Sequence, residues 1–188
     1  MLFHGRSAAR DAADRAYRQV AEQSRQPVFF AQFGVPDTLD GRFELICLHA
    51  FLYLHRLKAE RPRANWLCQG FFDRMFADFD RALREMGVGD LSVGKHVKRM
   101  ARAFYGRVCA YEAALGGDDK ALRAALARNL FGTVFDPAPF VHEMANYVQA
   151  AVGRLGRQST PDLLAGCIAF EIPGPAPISA QSEAVEPG

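Results

Sequence analysis

The chain has 188 residues, 49% of them hydrophobic and 23% charged, with a formal charge of +2. That is enough apolar material for one buried core. A mean hydropathy of −0.09, with no apolar run near the ~18 residues of a membrane span, excludes a helical membrane protein. A charge so evenly balanced excludes a chain whose main work is gripping DNA or other nucleic acid non-specifically.

The 3.6-residue period recurs along almost the whole chain, and sustained alternation occurs nowhere. A first helix is predicted over residues 7–25, with Ser7 as its N-cap. Pro27, Gly34 and Pro36 break the next apolar stretch into a short helical turn and a bend. Residues 40–59 follow as a helix with little polar face, which places it at the centre of the fold. Arg61-Pro62 ends it, since proline cannot continue the backbone ladder.

A further helix is predicted from Asn65 to Met86, stopped by Gly87 and Gly89. Its apolar stripe is Phe72, Met75, Phe76, Phe79 and Leu83, and Asp80–Arg84 and Arg81–Glu85 are spaced to bridge along it. Ser92 is expected to cap a helix over residues 93–115. Asp118 starts another, to about Phe131, and Pro137 sits in the first turn of the one after, which runs to Val152 or Arg154. Thr160-Pro161-Asp162 begins a last short turn, and residues 167–172 are candidates for extended chain. The Pro-, Gly- and Ser-rich end, residues 173–188, is expected to be disordered. The fold class is therefore all-α: one bundle of about six to seven helices over residues 1–172.

Cys47, Cys68, Cys109 and Cys167 are far apart and lie among apolar neighbours, so four buried free thiols in a reducing compartment are expected. The N-terminal stretch lacks the apolar segment of a secretory leader, and Asp11, Asp14 and Glu22 are foreign to a transit peptide. A cytoplasmic location is the expectation.

Enzyme-like patterns fall short of their chemistry. Residues 89–96 match a phosphate loop, but His96 stands where Ser or Thr must hold magnesium, and a helix precedes the motif instead of a strand. His142-Glu143 opens a zinc motif whose second ligand is replaced by Asn146. No Glu-x-x-His pair supports a di-iron bundle, and no GxSxG elbow is present. His49 and His55 are six residues apart on different helix faces; His49 reads most simply as a core or subsurface histidine bonded to a neighbour, while an enzyme or haem-handling bundle would use His49 or His55. No catalytic, cofactor or metal residue is assigned, and the protein is expected not to be an enzyme.

Charge is concentrated in residues 92–115, where Lys95, Lys98, Arg99, Arg102 and Arg107 face only Glu112, a local charge of +4. The first four form a stripe opposite Val97, Met100, Phe104, Val108 and Tyr111. Such a face is either simple solvated surface or a contact for an acidic partner, an RNA backbone or anionic lipid.

The run GVPDTLDGRFE at residues 34–44, the run DRALREMGVGD at residues 80–90, and the VGK, KRM and FYGR segments that follow resemble the signatures of the ubiquinol–cytochrome c chaperone family. The resemblance spans roughly residues 15–155. It implies a non-catalytic assembly factor for the respiratory cytochrome bc1 complex, bacterial in type, without a cofactor. Newly made cytochrome b and bc1 assembly intermediates are the implied partners, met in the cytoplasm with peripheral contact to the anionic bacterial inner membrane. Contact with the ribosome or with a small helical partner follows from the mitochondrial members only. Asp37, Arg42, Arg84, Asp90, Lys95, Lys98, Arg99 and Arg102 are the candidate partner-binding residues. Each has a simpler reading beside it: Asp37 and Asp40 as helix caps, Arg42 and Glu44 as an internal pair, the glycines as turns. A helical module that binds RNA or the ribosome through the basic face is the alternative.

Overall fold

A computed structural model describes the backbone of residues 2–174 and the side chains from Ala8 onward. The tail expected to be disordered lies, beyond Gly174, outside the described residues. The elements in order are α1 (Leu2–Ser24), α2 (Pro27–Ala31), α3 (Leu39–Leu57), a 3-10 turn (Lys58–Glu60), α4 (Asn65–Glu85), α5 (Asp90–Leu115), α6 (Asp119–Asn129), α7 (Ala138–Arg157) and α8 (Thr160–Leu164). No strand occurs among them.

Helix α3 is the axis, as its lack of a polar face predicts. Leu45 through Tyr53 are all buried, and α1, α5 and α7 pack around the helix. α4 lies along α1, and α6 joins α5 to α7. The aromatic residues tie these layers together. Phe71 sits between Tyr17 of α1 and Tyr53 of α3, at ring separations of 5.9 and 5.6 Å, while its neighbour Phe72 meets Phe104 of α5 at 5.5 Å. The stripe read from α4 omitted Phe71, which is fully buried. α4 needs two apolar faces because it has helices on two sides.

Several helix ends differ from the expectations. α1 already runs from Leu2, so Ser7 lies within the helix and not at its cap. α5 begins at Asp90 behind Gly89, three residues ahead of the proposed start, and Ser92 is inside its first turn. α6 stops at Asn129. Thr38, not Asp37 or Asp40, caps α3, its hydroxyl accepting from the Gly41 amide at 3.1 Å. Asp118 caps α6 as predicted. At the end of α4, Gly87 has φ of +83°; its amide donates to the Arg84 carbonyl and that of Val88 to Leu83. This pair of bonds is a Schellman stop, which requires the left-handed conformation glycine tolerates.

The extended stretch after α8 is held without a partner strand. Gln19 and Gln158 accept from the amides of Ile168 and Ala169, at 2.8 and 2.9 Å, and Gln23 donates to the Glu171 carbonyl at 2.8 Å. Side-chain amides thus satisfy backbone groups that a sheet would otherwise pair. Of the cysteines, Cys47 and Cys68 are buried as expected, whereas Cys109 is exposed and Cys167 half-buried. Cys109 follows Val108 on α5 but has turned past the contact line, which apolar neighbours in sequence do not reveal.

Candidate interaction surface

His49 belongs to the core. Its Nδ1–H donates to the Leu45 carbonyl at 2.8 Å, and Nε2 accepts from the Tyr147 hydroxyl at 2.8 Å. Gln23 in turn donates to Tyr147, and Ser24 to the Val20 carbonyl. Fully buried with both nitrogens engaged, the ring presents neither to a ligand. His55 is half-buried and pairs through Nδ1 with Glu112 at 2.9 Å.

Burial lowers the His49 imidazole from its usual 6.5 to about 4. The unfolded chain therefore takes up a proton near pH 6.5 that the native state refuses until about pH 4. This contribution is whole above pH 6.5 and is lost as pH falls, by about 3 kcal/mol across the full interval. In urea titrations between pH 7.5 and 4.5, wild type is expected to lose stability toward acid more steeply than His49→Gln, by up to ~1.4 kcal/mol per pH unit. Equal slopes would remove His49 from the account.

The sequence-predicted residues fall into three groups. Asp37 and Arg42 face each other at the start of α3, with Arg42 Nε 2.7 Å from Asp37 Oδ1 and both side chains more than half exposed. The hydrogen bond from Arg42 holds the Asp37 carboxyl below its ordinary range. The Arg42 guanidinium also lies 6.0 Å from the Phe30 ring. With Arg25, Pro27 and Ala31 these residues line a shallow recess of about 550 Å³. Arg42 does not pair with Glu44, as the internal-pair reading had it. Glu44 turns inward to Arg107 of α5, whose Nε stands 3.0 Å from Oε2.

Arg84 and Asp90 form the second group. Arg84 bridges Asp80 on its own helix at 2.6 Å and pairs with Asp90 across the turn into α5, stapling the two helices. Arg81, expected to bridge Glu85, reaches it only at 3.8 Å and bonds Asp78 more closely. Residues 90–96 are helical throughout, so the phosphate-loop spelling builds no loop.

Lys95, Lys98, Arg99 and Arg102 make the third group, all exposed on one side of α5. None has an acidic partner among the described residues; Arg99 meets only the His96 ring, at 2.9 Å. Arg107, counted with them in the sequence, is not part of this face. No ion pair among the described residues links this face to the Asp37–Arg42 recess.

Among the exposed apolar residues, two beside the α4–α5 turn escaped the sequence reading. Met86 and Leu91 flank the α4–α5 turn and are 52% and 96% exposed. Leu91 precedes Lys95 by four residues and so shares its face, a helical spacing that was open to reading from the sequence. Among the described residues no cluster of His, Cys, Asp and Glu offers a metal site, and no helix is long and apolar enough to cross a membrane.

The family model described as ubiquinol-cytochrome C chaperone matches residues 31–170. The ubiquinol-cytochrome-c reductase complex assembly factor 1 of Xenopus laevis is 29% identical over 81% of this chain and 76% of its own length. The human protein of that name is 28% identical over 81% of this chain, and the mitochondrial CBP3 protein of Saccharomyces cerevisiae 27% over 78%. The chain spans about half the length of those two, 51% and 45%. A crystal structure of the Cbp3 homolog from Brucella abortus superposes with a TM-score of 0.79 at 43% identity, covering 91% of this chain and 95% of that one. Both signature runs lie inside the matched region, one at the bend into α3 and the other at the turn into α5. The chain belongs to the ubiquinol-cytochrome C chaperone family.

Proposed function

We propose that this protein is a non-catalytic chaperone for assembly of the cytochrome bc1 complex, and that its client is newly made cytochrome b, met at the membrane surface. The observation that carries the reading is membership of a family whose relatives are named as assembly factors of that complex, with a match that runs through the whole α3–α8 body. The arrangement of polar groups agrees with binding rather than chemistry. His49 is sealed in the core, the clefts are shallow, and the unusual surface features are a cationic helix face and an arginine-lined recess. A solvated, charged contact surface binds reversibly, which suits a client that must later be released. A polytopic protein awaiting its subunits exposes apolar and polar loops that aggregate unless they are covered.

Deletion of the gene in its own host is expected to lower bc1 activity and the level of cytochrome b in isolated membranes, and the wild-type gene to restore both. Cytochrome b is expected to co-purify with the tagged protein during bc1 synthesis. A normal bc1 complex in the deletion strain, under growth conditions that require the complex, would overturn the reading.

A further inference from the structure

We infer that the α4–α5 hairpin is a membrane-docking element: the exposed face of α5 lies on anionic lipid headgroups, with Leu91 at its tip inserted among the acyl chains. This deepens the chaperone reading, and rests on it for the choice of membrane.

Three observations converge on that face. Positions 91, 95, 98, 102 and 105 follow one another at intervals of four, three, four and three residues, so Leu91, Lys95, Lys98, Arg102 and Tyr105 form a single stripe about 21 Å long. All five are exposed, Leu91 almost completely. Phe104, Tyr111 and Val93, on the opposite side, are buried. An order of apolar tip, cationic middle and half-exposed tyrosine matches the depth profile of a bilayer interface.

The cations also have no acidic partner among the described residues. Of the acidic groups beside the turn, Asp80 and Asp90 are engaged by Arg84, and Glu85 lies 3.8 Å from Arg81. None of these is left over to neutralise Lys95, Lys98 or Arg102.

Finally, the hairpin end stands clear of the body. Leu83 and Val93 are buried, yet neither joins the continuous core, which ends along these helices at Phe79 and Met100. The tip therefore packs on itself and is free to approach a flat surface. An RNA backbone would satisfy the lysines and arginines but gains nothing from a bare leucine; a lipid interface uses both.

The test is co-sedimentation of the full chain with vesicles of phosphatidylcholine alone or with roughly one-third phosphatidylglycerol, at low and at roughly 0.5 M salt. Binding is expected only to the anionic vesicles and is expected to be released by salt. Lys95→Glu/Lys98→Glu/Arg102→Glu is expected to weaken it roughly 100-fold. Leu91→Asp is expected to weaken it about 10-fold. Leu91→Trp, made together with Trp66→Phe so that the new indole alone reports, is expected to preserve binding and to shift its fluorescence to the blue on vesicle addition. Because positions 91, 95, 98 and 102 are exposed, thermal melts of the charge and Leu91→Asp variants are expected to match wild type. No binding to anionic vesicles at low salt would overturn the inference. So would an unshifted fluorescence from the Leu91→Trp variant, or tight binding to a homopolymer RNA that outcompetes vesicles and ignores Leu91→Asp. A failure on vesicles leaves the cytochrome b phenotype of the deletion strain standing, and a deletion strain with normal bc1 leaves vesicle binding standing, so the two readings fail separately.

Discussion

Arg107→Met is expected to destabilise the protein by about 3–5 kcal/mol at neutral pH, and the loss is expected to shrink toward pH 5. The reason lies in the asymmetry of the pair. The Glu44 side chain is 9% exposed and Arg107 27%. Burial pushes the Glu44 carboxyl above its ordinary range even against the guanidinium, whose hydrogen bonds favour the charged form. Remove Arg107 and Glu44 is left in the α3–α5 interface without its counter-charge, unless it takes up a proton; acid supplies that proton and relieves the cost. Glu44→Gln should be milder, about 1–2 kcal/mol, because Arg107 has a path to water. Replacing both by methionine is expected to return stability to within about 1 kcal/mol of wild type. Urea unfolding of the three variants at pH 7 and pH 5 checks the set, and a pH-independent cost for Arg107→Met would show that the pair acts through packing alone.

Phe71→Ala carries a comparable cost, about 3–5 kcal/mol, by a different route. Phe71 is completely buried where α1, α3 and α4 meet, edge-on to Tyr17 and tilted against Tyr53. Its removal leaves a cavity those two rings cannot fill, since Tyr17 donates to Asp78 at 2.7 Å and Tyr53 to the Leu163 carbonyl at 2.8 Å. Phe71→Leu keeps most of the volume and is expected to cost less than half as much. Thermal or urea unfolding measures both. Equal losses from Phe72→Ala, which is only half-buried, would mean that the α4–α5 seam matters as much as the three-helix junction.

The helices were legible because each is written in a local code. The 3.6 period places α3, α4, α5 and α7, proline and glycine punctuate their ends, and the unbroken apolar surface of α3 puts it at the centre. Where capping competes among neighbours, local reading failed: Thr38 beat Asp37 and Asp40, and Gly89 displaced Ser92 as the start of α5. Burial of Cys109 was wrong for a related reason, since apolar neighbours along the chain say nothing of the angle at which one residue leaves the helix.

What the sequence determined by itself was the all-α class, the central helix, the cationic composition of α5 and the two signature runs that carry the family. What only the tertiary structure decided was partnership. Opposite charges attract across any sequence separation, so the partner of Glu44 could not be read from its neighbours; it is Arg107, 63 residues away. The same packing turned Arg107 inward, placed Asp80 and Asp90 on Arg84, and left Lys95, Lys98 and Arg102 without an acidic partner among the described residues, beside an exposed Leu91. Local periodicity sets which residues share a face. Whether that face meets protein or solvent depends on which distant helices fold against it.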